Sequence, residues 1–149
     1  MNDLEYMHLA IVQAEAAALR GEVPVGALIV LGDRILAAAG NRTITDCDPT
    51  AHAEMVALRD AAHKAGNHRL VGASLYVTVE PCAMCAGALV QARIAKLIYG
   101  ADEPKGGAVR TCMQVLDAPA LNHRVEVVSG VLAAESVKLL QSFFSARRG

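Results

Sequence analysis

The sequence contains no tryptophan, and aromatic residues make up only 3% of its 149 residues. A core built from this chain must therefore be aliphatic, which the 54% of hydrophobic residues allow. Low-complexity stretches and long charged runs are also missing, so we do not expect disorder over most of the length. The length suits one domain with a core of its own, spanning residues 1–149.

Long hydrophobic runs are equally scarce. The longest, PVGALIVLG, is much shorter than the roughly 20 residues that a membrane-spanning helix needs. The opening MNDLEYMHLA lacks the basic-then-apolar order of a signal peptide, so we expect a cytoplasmic protein without a membrane partner. In a reducing compartment the four cysteines, two of them spaced CxxC, indicate metal or redox chemistry rather than disulfides.

The chain has almost no net charge, with a formal value of −1 at pH 7. Its charges are unevenly spread, since residues 1–60 hold four arginines against nine acids and residues 61–149 hold ten basic residues against six acids. The second part could present a basic face to a polyanion. Because parts of a sequence are not faces of a fold, this observation is weak evidence.

Helical and extended patterns alternate along the chain. Apolar residues recur at helical spacing in residues 3–20, 48–66, 82–94 and 132–148. We expect Asp3 to cap the first of these helices and Asp48 or Thr50 the second. Extended patterns predict strands in residues 25–31, 34–41, 73–80, 95–100 and 124–130, and β-branched and aromatic residues alternate in 73–80. This order predicts an α/β sandwich with helices on both faces of a mixed sheet.

Two short motifs combine the residue types of a catalytic zinc site. Cys82 and Cys85 are three residues apart at an expected helix start, where peptide N–H groups favour thiolates. His52 can add a neutral nitrogen, and three protein ligands leave one tetrahedral position open for water. Glu54, two residues from His52, could then serve as a base without being a ligand.

Other interpretations of the cysteines remain open at this point. The CxxC pair could be two buried thiols, a redox pair, or half of a four-ligand structural site completed by Cys47 or Cys112. A non-catalytic zinc module that supports a partner is a further alternative. The carboxylate of Glu54 argues against that module, because a structural zinc does not need it. Iron would also fit two thiolates and an imidazole.

Several blocks of the sequence resemble a known family. HAE at 52–54 with PCAMC at 81–85 is similar to the zinc-dependent cytidine and deoxycytidylate deaminase superfamily. EVPVGA, GNR, DPTAHAE, EPCAMCAGALVQARI, NHRVEV, GVLAAES and SFFSARR resemble the bacterial tRNA-specific adenosine deaminases. These blocks run along nearly the whole chain in the family's order.

The resemblance implies a fold, an activity and a set of roles. It implies a three-layer α/β/α sandwich with a five-stranded mixed sheet, and a homodimer with one Zn²⁺ per subunit. The implied reaction is hydrolytic deamination of adenosine to inosine at the wobble position of a tRNA anticodon. His52, Cys82 and Cys85 would hold zinc and Glu54 would move protons. Substrate contacts are implied for Val25, Asn41, Ala53, Asp102, Glu103, Lys105, Phe143, Phe144, Arg147 and Arg148.

A deaminase of a free base or nucleotide, such as guanine or cytosine, is the main alternative, because it needs the same zinc site. The terminal FFSARR favours the tRNA reading, since a lid over a small substrate need not carry arginines. The mildly acidic overall composition is a departure from what phosphate binding usually requires.

Overall fold

The computed structural model describes residues 1–148, except for the side chain of Arg148, which lies outside the described part together with Gly149. Helices and strands follow one another in the predicted order. They are α1 (Asp3–Leu19), β1 (Gly26–Leu31), β2 (Arg34–Gly40), α2 (Ala53–Ala65), β3 (Ser74–Val79), α3 (Ala83–Gln91), β4 (Lys96–Ala101), a short 3₁₀ turn (Val115–Asp117), β5 (Glu126–Val128) and α4 (Ala133–Arg148).

The five strands form one mixed sheet in the order β2-β1-β3-β4-β5. β1 runs antiparallel to both β2 and β3, whereas β3, β4 and β5 are mutually parallel. β1 and β2 are joined as a hairpin through Gly32, whose φ of 62° suits a tight turn. The predicted mixed sheet is therefore confirmed.

Each central strand buries alternate residues on opposite faces of the sheet. On one face Leu75, Val77 and Leu97 pack with residues of α2 and α3 in a cluster of aliphatic side chains. On the other face Tyr76 and Ile98 pack against α1 in a second cluster, and α4 lies beside α1 over β4. Helices thus cover both faces, which confirms the three-layer α/β/α sandwich.

Small residues let α1 approach the sheet closely. Ala10, Ala14 and Ala17 are fully buried on the face of α1 that lies over β1 and β2. A Cβ atom added at Gly26 would overlap the Ala10 carbonyl oxygen, and one at Gly40 would lie 2.8 Å from the carbonyl oxygen of Gln13. The glycines at these two positions are required by this helix-to-strand distance rather than by their backbone angles.

The predicted helix caps were wrong. Asn2, not Asp3, caps α1, and its side chain accepts the Glu5 N–H in a reciprocal capping box. Asp3 accepts instead from the Tyr76 hydroxyl at 2.6 Å.

The second helix also begins later than expected, at Ala53. The Asp48 carboxylate accepts hydrogen bonds from both the backbone N–H and the hydroxyl of Thr50, the latter at 2.7 Å. This local turn uses both candidate caps before the helix starts.

Among the described residues, none of the helices is long and apolar enough to cross a bilayer.

Candidate active site

The starts of two helices meet on one side of the sheet. His52 is the N-cap residue of α2, and Glu54 is the second residue of that helix. Cys82 is the N-cap residue of α3, and Cys85 lies in its first turn. α3 follows β3 through Glu80 and Pro81. Both motifs are thereby fixed by helix termini that pack on the same face of the sheet.

This arrangement brings the three predicted metal ligands together. His52 Nδ1 lies 3.5 Å from the Sγ atoms of both Cys82 and Cys85, and the ligand atoms of the three residues lie within 4.8 Å of one another. Tetrahedral zinc with Zn–S bonds of about 2.3 Å and a Zn–N bond of about 2.0 Å places nitrogen and sulfur roughly 3.5 Å apart. The donor set and its spacing therefore fit such an ion.

The two sulfurs differ in their protonation. A hydrogen bond from Cys85, helped by His52, lowers the pKa of Cys82 to about 3. The same hydrogen bond and burial raise the pKa of Cys85, which keeps its proton. The pKa of His52 is raised, chiefly by its contact with the Cys82 sulfur. A bound cation would displace the thiol protons because metals bind cysteine as thiolate.

Glu54 is a buried carboxyl group beside this cluster, with only 4% of its surface exposed. Burial raises its pKa, and this effect outweighs the nearby backbone and the charge of His52. It lines the same cavity as His52 and Cys82. A raised pKa makes the carboxylate a stronger base than an ordinary glutamate, as general acid–base chemistry favours.

A cavity of about 250 Å³ opens beside the metal cluster. Three valines form the apolar part of its wall, and four acidic or amide residues and two residues of the metal cluster complete it. The lining residues are Val23, Val25, Asn41, His52, Glu54, Val79, Glu80, Cys82 and Glu103. Of the implied substrate contacts, Val25, Asn41 and Glu103 therefore lie at the cavity.

The amide of Asn41 is held in one orientation. Its Oδ1 accepts the Ala53 backbone N–H at 2.8 Å, while its own backbone N–H donates to the Val25 carbonyl oxygen. The Ala53 N–H, one of the implied substrate contacts, is therefore engaged with Asn41 in this structure. Because Oδ1 is used in this way, the amide NH₂ is the group of Asn41 that remains for a ligand.

The loop after β4 carries three further implied contacts with different surroundings. Asp102 is paired with the Arg110 guanidinium at 2.9 Å and accepts from the Tyr99 hydroxyl. Glu103 faces the cavity and also accepts the Lys105 backbone N–H. The structure therefore places Glu103 at the site, Lys105 at the surface and Asp102 in an ion pair beside it.

The end of α4 contacts the turn that follows α1. The Arg147 guanidinium donates to the Gly21 carbonyl oxygen at 2.7 Å and lies 4.2 Å from the ring centroid of Phe143. Phe143 is half-buried and meets the Phe144 ring edge-on, and Phe144 is 41% exposed. Phe144 also lines a cavity with Glu103, which brings α4 next to the loop after β4. The implied side-chain contact of Arg148 lies outside the described residues.

The remaining cysteines take no part in the cluster. Cys47 and Cys112 are both exposed, and the group of possible metal ligands found among residues 1–148 holds only His52 and the CxxC pair. Among the described residues, neither Cys47 nor Cys112 is therefore placed to complete the four-ligand structural site that the sequence left open.

Two buried carboxylates near the site were missed by the sequence analysis. Glu80 accepts four backbone N–H groups from the loop after β4, and Glu22 accepts two from residues 44 and 45. Burial raises the pKa of each, but these hydrogen bonds outweigh it and the pKa of both is lowered. A glutamate directly after an apolar strand, as in VTVEPC, is the one signal that could have indicated Glu80.

Comparison with known proteins agrees with this site. The family model for MafB19-like deaminases matches residues 1–148. A tRNA-specific adenosine deaminase of Agrobacterium fabrum is 48% identical over 143 residues, covering 96% of this chain and 94% of its own. The Bacillus subtilis protein of the same name is 47% identical, covering 96% and 89%.

A solved structure from work on A-to-I editing by tRNA:A34 deaminases is also similar. It superposes with a TM-score of 0.89 at 48% sequence identity, covering 91% of this chain and 99% of its own. Identity at this level extends over almost the full length of both chains, and the TM-score shows the same fold. This chain therefore belongs to the MafB19-like deaminases and, among them, to the family of bacterial tRNA-specific adenosine deaminases.

Proposed function

We propose that this protein hydrolytically deaminates adenosine to inosine at the wobble position of a tRNA anticodon. The observation that carries the proposal is the convergence of His52, Cys82 and Cys85 beside the buried carboxyl of Glu54, in a chain of this family. The relatives named as tRNA-specific adenosine deaminases match nearly its whole length, which supports the same substrate.

We assign His52, Cys82 and Cys85 as the ligands of one zinc ion per subunit. Two soft sulfurs and one imidazole nitrogen suit zinc, and three protein ligands leave a position for water or substrate. When bound, zinc acts as a Lewis acid and lowers the pKa of a coordinated water. Because two thiolates weaken that effect, a nearby base is needed, and Glu54 is the carboxyl group in the right place.

Glu54 carries the proton transfers in this proposal. It takes a proton from the attacking water as the C6–O bond forms and gives that proton to N1 of the adenine ring. It then transfers the second water proton to the departing amino group, the C6–N bond breaks, and ammonia leaves. Water supplies the oxygen of inosine, so no co-reactant is needed.

The cavity walls suit a flipped-out purine. Val23, Val25 and Val79 offer apolar surfaces for the faces of the base, and the Asn41 NH₂ group can donate to a ring or ribose acceptor. An adenosine in an anticodon loop is only partly stacked, so extruding it costs less than in a duplex. The exposed ring of Phe144 is a candidate platform for a neighbouring base.

Residues 1–149 act as a single deaminase domain in this proposal. We further propose that the protein works in the cytoplasm as a homodimer with the tRNA anticodon stem-loop as its partner. In that assembly Lys105, Arg147 and Arg148 would approach the phosphates.

The first test is deamination of an anticodon stem-loop with adenosine at the wobble position, run beside free adenosine, guanine and cytosine. We expect inosine in the stem-loop alone, and Glu54→Gln should lose at least about a thousandfold in kcat while keeping its zinc. Turnover of a free base with an inert stem-loop would refute the tRNA substrate. Normal kcat in Glu54→Gln would refute the proton transfer.

Metal content tests the ligand assignment separately. Purified Cys85→Ser should contain far less zinc per chain than the wild type, measured by elemental analysis. Cys112→Ser is the matched control, because Cys112 is exposed and outside the cluster, and it should keep one zinc per chain. Equal zinc in both variants would contradict the assignment.

A further inference from the structure

Glu80 occupies an unusual place at the end of the central strand β3. It follows Val79 and is separated from Cys82 only by Pro81, and its side chain is 3% exposed. Nevertheless it is one of the residues that line the active-site cavity. None of the proton transfers proposed above uses it, so its burial beside the reaction centre needs another explanation.

The Glu80 carboxylate accepts hydrogen bonds from several residues of the loop that follows β4. Its Oε1 accepts the Glu103 N–H at 3.0 Å, and its Oε2 accepts the N–H groups of Val109, Arg110 and Thr111 at 3.0, 2.8 and 3.1 Å. These four N–H groups come from both ends of a segment that contains no helix or strand. The carboxylate thus supplies the acceptors that secondary structure would otherwise provide.

Two further features fit the loop around this carboxylate. The Thr111 hydroxyl lies 2.8 Å from Glu80 Oε1 and equally far from the Glu103 carbonyl oxygen, so it joins the two ends of the loop. A Cβ atom at Gly107 would overlap both the Glu80 carboxylate and the Thr111 hydroxyl. The loop therefore closes tightly over Glu80 from more than one side.

We propose that Glu80 is a positioning residue that holds residues 103–111 as a rigid wall of the substrate cavity and thereby sets substrate affinity. Glu103 is the residue of this loop that lines the cavity, and its side chain also accepts the Lys105 N–H. This inference rests on the proposed function, since that function assigns the loop to substrate binding.

The groups that perform the chemistry are held by other elements. His52 and Glu54 are fixed by α2, and Cys82 and Cys85 by α3. A loosened 103–111 loop would have to be ordered again each time substrate binds, and that cost appears in binding. Loss of the Glu80 contacts should therefore raise KM and leave kcat and zinc content close to their wild-type values.

Three variants disturb the same contacts from different positions. Glu80→Gln replaces one acceptor oxygen with an NH₂ group that faces N–H donors, Gly107→Ala pushes against the carboxylate, and Thr111→Val removes the joining hydroxyl. With the stem-loop substrate we expect KM to rise about tenfold or more in the first two and about threefold to fivefold in the third, with kcat within about threefold. Thr111→Val disturbs the fewest contacts and keeps the test available if the others fail to fold.

The controls separate positioning from general damage to the loop. Thr111→Ser keeps the hydroxyl and should restore the wild-type KM. Met113→Ala changes an exposed side chain of the same region and should leave KM unchanged. An unchanged KM in all three test variants would overturn the proposal. Zinc loss, a fall in kcat alone, or an equal KM increase in Met113→Ala would also overturn it.

The substrate and the role of Glu80 are tested by different measurements in the same experiment. Wild-type turnover of the stem-loop, compared with the free bases, tests the substrate. The ratio of variant to wild-type KM tests Glu80 on whichever of these substrates the wild type converts. If the wild type acts on a free base and the KM values of the variants equal that of the wild type, both the tRNA substrate and the role of Glu80 are refuted. If the wild type acts on a free base and the variants have a raised KM, only the tRNA substrate is refuted.

Discussion

At the scale of single residues, the amide of Asn41 has one role in the fold and a second, proposed role in substrate binding. Its Oδ1 accepts the first backbone N–H of α2, which no intrahelical carbonyl can accept, and so stabilises the start of the helix that carries Glu54. The same contact fixes the amide plane, so that its NH₂ group is available at the cavity that Asn41 lines. The two roles use different atoms and can be separated by substitution.

Two substitutions of Asn41 should therefore behave differently. Asn41→Asp keeps an acceptor for the Ala53 N–H but lacks the NH₂ donor, so we expect little loss of stability and a KM about tenfold higher. Asn41→Ala removes both groups and should also lose about 1 kcal/mol of unfolding free energy, as lost helix caps typically do. Chemical denaturation and steady-state kinetics on the stem-loop measure the two effects. Equal stability of the two variants would contradict the capping role.

How much of the site could be predicted depended on the sequence distance between interacting residues. His52 with Glu54 and Cys82 with Cys85 form short motifs, and the structure brings these four residues together as expected. Glu80 has no such motif, because its partners lie 23 to 31 residues further along the chain. Contacts of this kind arise only when the loop folds back over the strand, and no local pattern records them.

At the scale of helices and strands, strand positions were easier to predict than helix starts. The five predicted strands agree with the observed strands to within a few residues. The predictions of the helix caps were wrong because polar side chains near a helix start have competing partners. The Asp3 carboxylate is used by Tyr76 and the Asp48 carboxylate by Thr50, and both contacts depend on the surrounding chain rather than on propensity.

The contact between α1 and β1 should be sensitive to a single methyl group. Gly26→Ala would place a Cβ atom against the backbone of α1 at Ala10 and Ala14, so the helix must shift away from the sheet. We expect a loss of about 2 kcal/mol or more in unfolding free energy. Gly87→Ala is the control, because a Cβ there meets nothing within 4 Å and alanine favours a helix interior. Comparable loss in both variants would refute the close approach as the cause.

At the scale of the whole molecule, stability in acid should depend on Glu22. This fully buried carboxylate joins the end of α1 to the loop before α2, and N–H groups of Ile44 and Thr45 outweigh burial to lower its pKa. A lowered pKa in the folded state stabilises the protein above the unfolded-state pKa of about 4.3, and this is lost as pH falls through the folded value.

Glu22→Gln should therefore be less stable than the wild type at neutral pH, and its stability should fall less steeply on acidification below about pH 4. Unfolding midpoints between neutral and acidic pH measure both effects. Glu15→Gln, at an exposed position of α1, should follow the wild-type curve. Parallel curves for Glu22→Gln and the wild type would show that the carboxylate charge is not what stabilises this junction.

The charge distribution of the whole molecule predicts a shallow salt dependence of RNA binding. Arg110, a basic residue close to the cavity wall, is paired with Asp102, so its charge is largely neutralised. Lys105 and Arg147 form no salt bridge in the described part of the chain, and the proposed function brings them to the phosphates together with Arg148. Three phosphate contacts on a single-stranded loop correspond to a slope of about −2 in a plot of log affinity against log salt.

Stem-loop affinity measured across a series of salt concentrations tests this number. Lys105→Gln should reduce the slope by about 0.7, the value for one lost phosphate contact on single-stranded RNA. Lys64→Gln, at the exposed end of α2, should leave it unchanged. A wild-type slope several times steeper would contradict recognition by the cavity and a few cations, and would require a broad basic surface instead.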